Sequence, residues 1–112
     1  MAVNLQDERY QVWAKKLRAL AHPARLQLLS LLEQRPTCVH ELVRSTRYRQ
    51  PYVSQQLAVL REAELVCNVH DGPYCRYYLA CPELPDLLDK VSQLPLPKQL
   101  AQATGKQQAN EK

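Results

Sequence analysis

Between Val43 and Arg61 the chain carries Arg44, Arg47, Arg49 and Arg61 and no acidic residue. Among these cations lie Gln50, Tyr52, Ser54 and Gln55, neutral side chains that donate and accept hydrogen bonds. Side chains of this kind read the donor and acceptor edges of bases in a major groove, while guanidinium groups hold phosphates. To do so they must share one face of a helix near its N-terminus. Pro51 suits a first helical turn, where its missing N–H would have no partner anyway. Val53, Leu57, Leu60 and Leu65 repeat at helical spacing and would turn inward. The plainer reading of residues 49–66 is an amphipathic helix whose polar face is merely solvated.

A second set of reactive groups is Cys38, Cys67, Cys75 and Cys81, with His40 close to the first. Thiols serve as redox-active nucleophiles and as ligands for soft metals. No Cys-x-x-Cys pair and no nucleophile elbow occur. Two glycines in the whole chain leave nothing from which to build a phosphate-cradling loop. An enzyme is therefore not expected. For Cys67 and Cys75, within β-type runs, the plain alternative is a small buried apolar side chain.

The elements that must position these groups follow from pattern. A chain of 112 residues is one domain with enough length for a core without staples. Its net charge of +4 fits nucleic acid, and the excess is local. Residues 1–66 hold ten Lys+Arg against six Asp+Glu, whereas residues 67–112 hold five of each. No run of 18 apolar residues offers a membrane span, and the first ten residues lack the apolar stretch of a secretory signal. The expected location is the cytoplasm, where the cysteines stay reduced.

Residues 5–21 read as a first helix, ended by His22-Pro23 because the residue before proline is pushed out of the α region. Pro23 opens a second, leucine-rich core helix to Gln34, stopped by Arg35-Pro36. His22 reads as a capping or packing residue. Thr37 is placed to cap a short third helix over 38–45, with Glu41 supporting the start. A turn over 46–49 leads to the polar-faced helix, so two helices meet at helix-turn-helix spacing. Residues 65–70 and 74–80 alternate as two strands around Asp71-Gly72-Pro73, a hairpin signal. A hairpin in that position reads as a wing. Helical period returns over 82–94 at Leu84, Leu87, Leu88 and Val91. The expected fold is mainly α with a small β-hairpin, a winged helix-turn-helix spanning 1–94, followed by a disordered polar tail at 95–112.

In this order the chain resembles the ArsR/SmtB family of winged-helix transcriptional regulators. The stretches that carry the resemblance are AKKLRALAHPARLQLLSLL (14–32), CVHELVRST (38–46), QPYVSQQLAVLREAELV (50–66) and YYL (77–79). The resemblance implies a homodimer built on the first and last helices, with Trp13, Leu17, Leu87, Leu88 and Val91 as its apolar contacts. It implies a double-stranded DNA operator, with Gln50, Ser54 and Gln55 falling where the family touches bases and phosphates; Arg47, Arg49 and Tyr52 join them from the residue pattern, and Arg76 and His70 are the cationic candidates on the wing. A protein-contact module is the competing use of such a fold. Two positions depart from the family pattern. Position 56 is usually basic or histidine and is Gln56 here, and the glycine that usually breaks the recognition helix is Glu64.

Members of the family leave the operator when a metal, a metalloid or an oxidant reaches them. The Cys-x-Cys pair of metal-sensing relatives falls on Cys38 and His40, leaving a half-site for a soft divalent ion as one alternative; no cofactor is otherwise implied. The segment before the third helix of a winged-helix fold commonly runs beside the outgoing wing strand. This would bring Cys38 close to Cys81, with His40 as base or third ligand, and make them the thiol-sensing pair of a repressor.

Overall fold

The computed structural model describes residues 7–101. Its elements run α1 (Glu8–Leu20), α2 (Pro23–Gln34), β1 (Thr37–Cys38), α3 (Val39–Thr46), α4 (Gln50–Glu62), β2 (Val66–Asp71), β3 (Tyr74–Leu79) and α5 (Leu84–Ser92). Local chemistry sets most of these boundaries. Asp7 caps α1, its side chain accepting from the Arg9 N–H at 2.9 Å. The Arg9 guanidinium, which also hydrogen-bonds this carboxylate, and then the Arg9 N–H hold the Asp7 carboxyl below the usual carboxylate range. His22 caps α2 by accepting from the Ala24 N–H through Nδ1 at 3.2 Å, and proline opens α2, α4 and α5.

The core gathers one face from every helix. Leu28 and Leu29 of α2, Leu42 of α3, Val53, Leu57 and Leu60 of α4, and Val66 of β2 are fully buried. Each such aliphatic side chain contributes about 1.5–3 kcal/mol on burial. Val53, Gln56, Leu57 and Leu60 are the buried positions of α4, the i, i+3, i+4, i+7 stripe of a helix lying on a core.

The sheet has three antiparallel strands in the order β1-β3-β2. The wing turns through Gly72 and Pro73, since Asp71 pairs with Tyr74. Gly72 has φ +62, as the first position of a type II′ loop requires. A Cβ there would meet nothing within 4 Å, so backbone conformation alone selects glycine.

Several expectations are corrected. The strand β1 carries too few residues to show a period, and Thr37 belongs to it rather than capping α3. The Thr37 hydroxyl donates to the Arg35 carbonyl at 2.9 Å, and Cys38 is the N-cap without a side-chain bond. Helix α4 stops at Glu62, before the apolar repeat reaches Leu65. Glu64 takes the left-handed conformation at φ +62. The Leu65 N–H reaches the Leu60 carbonyl and the Glu64 N–H the Arg61 carbonyl, each at 2.9 Å. These are the two bonds of a Schellman cap, which usually employs glycine. Glutamate thus makes the break that glycine makes elsewhere, at a cost of about 1–2 kcal/mol in backbone strain. In the stretch 95–101 of the expected tail, the Leu100 and Ala101 N–H groups bond the Pro97 carbonyl at 3.1 and 2.9 Å, the start of a helical turn. Residues 102–112 lie outside the described residues.

Candidate nucleic-acid interface

The turn between α3 and α4 delivers the polar side chains. Arg47 closes α3 in the left-handed region at φ 63, its N–H bonding the Val43 carbonyl at 2.7 Å. Arg49 is the N-cap of α4 and Gln50 its first residue. Arg47, Arg49, Gln50, Ser54 and Gln55 are all exposed, and Gln50 and Ser54 share a face at i, i+4. Tyr52 is half-buried, its ring edge-on to Tyr48 at 5.2 Å between centroids. The Tyr48 hydroxyl in turn donates to Gln27 of α2. Tyr52 therefore supports the turn as well as lining its outer surface.

Behind the polar face lies a set of contacts that sequence reading missed. Gln56 is buried, with 8% of its surface exposed, and does not point outward with Gln55. Its Oε1 accepts from Arg25 Nη1 at 2.9 Å. Arg25 also donates to the Ala19 carbonyl at 2.6 Å and the Arg18 carbonyl at 3.2 Å, so one guanidinium joins α1, α2 and α4. Lys16 Nζ adds a second tie, donating to the Ala63 carbonyl at 2.8 Å and lying 3.7 Å from Glu64. Polar type at position 56 was visible; its burial depended on the α4 stripe including it.

The wing is joined to α4 through Arg61, which donates to Asn68 Oδ1 at 3.1 Å, and Asn68 donates to Cys75 Sγ at 3.3 Å. Burial, reinforced by Cys75, pushes the Tyr77 hydroxyl above its ordinary value. Repulsion from its cross-strand neighbour Cys67 does the same to Tyr78. Arg76 stands on the outer sheet face, 3.4 Å from Asp71, so this wing cation already has an acidic neighbour. His70 is exposed near the tip.

The apposition of Cys38 and Cys81 is corrected by the register. Cys38 pairs with Arg76, and β3 runs three residues further to Leu79, about 10 Å of strand, before the bend that leads to Cys81. A disulfide tolerates Cα separations only to about 7 Å. The two thiols face different surroundings. Cys38 lines a cavity with His40, Arg44 and Arg76, and Cys81 lines an apolar groove with Trp13, Leu17 and Leu87. All four cysteines are free and half-buried. The surroundings of Cys38 and His40 are cationic. Three guanidinium groups share their cavity, Glu41 there is paired with Arg35 at 2.9 Å, and no cluster of three ligand-type side chains occurs among the described residues.

Trp13, Leu17, Leu87 and Val91 lie exposed on α1 and α5, and the first three line one apolar groove. Leu88 is the exception. It is 7% exposed and packs in the core of this chain, because α5 turns Leu84 and Leu88 inward at i, i+4 and leaves Leu87 and Val91 outside.

A helix-turn-helix whose second helix presents amides within a cationic rim, followed by an antiparallel hairpin, defines a winged helix-turn-helix DNA-binding domain. The family model for bacterial regulatory proteins of the arsR family matches residues 22–67. Over 80 residues the chain is 40% identical to Rv0081, an uncharacterized HTH-type transcriptional regulator of Mycobacterium tuberculosis, covering 70% of each chain. The crystal structure of Rv0081 aligns with a TM-score of 0.71 at 33% identity, over 91% of this chain and 98% of that one. The transcriptional repressor SmtB of M. tuberculosis is 42% identical over 64 residues, 57% of this chain and 47% of its own. A homodimeric winged helix-turn-helix DNA-binding domain from Mycobacterium bovis aligns at a TM-score of 0.72 and 26% identity, over 82% of this chain and 87% of that one. The chain belongs to the ArsR family of DNA-binding transcriptional regulators, which are not enzymes. Among the described residues no helix is long and apolar enough to cross a membrane.

Proposed function

We propose that this regulator is a homodimeric repressor that leaves its operator when a cysteine thiol is modified. The observation that carries the reading is the coexistence of two surfaces. One is the exposed amide and arginine face at the start of α4; the other is the uncovered apolar face of α1 and α5. A second copy on the apolar face would set two recognition helices about one helical turn apart on a near-palindrome. The homodimeric state of the M. bovis domain and the repressor description of SmtB support the same reading.

The thiol part rests on position. Cys38 lies beside the cationic surface and Cys81 beside the apolar one, so modification of either would disturb one surface without a bond between them. Peroxide would convert a thiolate to a sulfenate with release of water, placing a new oxygen at one of these two places.

Mobility shift with an operator selected from random DNA tests both parts. Gln50→Ala should weaken the selected site by about 1–3 kcal/mol and leave random DNA unaffected; equal loss on both would remove Gln50 from base reading. Peroxide should release the wild type. Cys38→Ser and Cys81→Ser identify the thiol responsible, and a double variant that still responds ends the thiol reading.

A further inference from the structure

A cavity of about 570 Å³ opens between the start of α3 and the wing. Arg35, His40 and Arg44 line it from one side, Tyr74 and Arg76 from the other. Three arginines face one lining acid, Glu41. The pairs Arg35–Glu41 and Arg76–Asp71 span 2.9 and 3.4 Å, with every partner well exposed; ion pairs of that kind are weak and readily exchanged. Arg44 makes no ion pair or side-chain hydrogen bond among the described residues.

The cavity borders the helix-turn-helix through Arg44 of α3. His40 and Arg44 share a face of that helix at i, i+4, and Arg47, its C-cap, follows in the turn that leads to Arg49 and Gln50; all five are exposed. No acidic residue lies between Glu41 and Gln50. A compact cation would be repelled here, whereas a polyanion with regularly repeated charge fits.

We infer that the groove from Arg76 through Arg35 and Arg44 to Arg47 is a second phosphate site, which holds the DNA strand passing between the recognition helix and the wing. This rests on the DNA-binding reading and adds the residues Arg35, His40 and Arg44 to it. The wing then needs no cation at its tip. The backbone is held beside Tyr74 and Arg76 of β3, where β1 and α3 bring the charge that the turn over 71–73 lacks.

The test is the salt dependence of binding by the full chain, measured on a selected operator and on random DNA. Arg44→Gln and the double variant Arg35→Gln/Arg44→Gln should reduce the slope of log K against log salt by about one unit for each phosphate no longer neutralised. The selected-to-random preference should stay constant, and Arg44→Lys should restore most of the slope. Lys15→Gln removes the same charge from exposed α1 and should leave the slope unchanged. A slope for Arg44→Gln equal to that of Lys15→Gln, with binding intact, overturns this inference alone. A wild type that binds neither DNA overturns the repressor reading and this inference with it. Titration with inorganic phosphate, followed at the Cys38, His40 and Arg44 amides, separates the sources of the anion. Weak binding displaced by DNA agrees with a backbone site. Tight binding that persists in excess DNA would mark a small-anion pocket and overturn the assignment.

Discussion

The two exposed faces of this domain are prepared in opposite ways. The α4 face is braced from behind by side-chain hydrogen bonds: Arg25 to Gln56, Tyr48 to Gln27, Arg61 to Asn68. Its outward groups are free to meet a partner, yet their helix and the turn before it are held by α2 and β2. The α1–α5 face has no such bracing of its apolar side chains, and Trp13 and Leu17 remain half in water at 51% and 56% exposure. A polar face can wait in solvent at little cost, whereas an apolar patch of this kind favours being covered. One face is finished within the chain, and the other would be completed by a second copy in the proposed dimer.

The most direct challenge to this contrast is to charge the unfinished face. Leu17→Glu with Leu87→Glu should leave the chain folded, since neither side chain is in the core, and should yield a monomer by sedimentation. Losing the second half-site removes the bivalent gain, about 10²-fold or more in operator affinity. A dimer that survives both substitutions would show that association uses another surface.

The opposite perturbation removes bracing from the finished face. Gln56→Ala takes away the acceptor of a charged donor and should lower stability by about 1–3 kcal/mol, read as a lower urea midpoint. The dimer should persist, because no residue of the apolar face is touched. Unchanged stability would mean that Arg25 is satisfied without Gln56.

A smaller effect of opposite sign is expected at the junction of the two faces. Glu64→Gly relieves the left-handed strain at the end of α4 and should raise stability by about 1 kcal/mol. Its ion pair with Lys16 is exposed on the glutamate side and offsets little of that. A destabilised variant would show that Lys16 holds the helix end through the carboxylate rather than through the Ala63 carbonyl.

The helices, the wing and the polar face were legible in the sequence because proline punctuation and apolar period act locally. His22-Pro23, Arg35-Pro36 and Pro51 each mark a boundary within a residue or two of where it falls. What stayed hidden depends on contacts between elements. Glu64 carries no stop signal, and only the Schellman bonds to Leu60 and Arg61 reveal why α4 ends there. Leu87 and Leu88 look alike as letters, and the rotation of α5 on the core separates them. Proximity of Cys38 to Cys81 required the register of a strand too short to have a pattern, and that register set Cys38 against Arg76 instead. Gln56 could be read as polar but not as buried.

The Lys16 and Arg25 ties bear on the target as much as on the protein. Lys16 fastens α1 to the end of α4 and Arg25 bridges the two from α2, with no flexible segment between the helix of the association face and the helix of the reading face. In the proposed dimer the distance between reading heads is then a built-in length. Each base pair inserted between half-sites rotates the second by about 35°, from 10–10.5 base pairs per turn. A rigid pair cannot follow that rotation, so the number of base pairs separating the half-sites becomes part of the address that the regulator recognises.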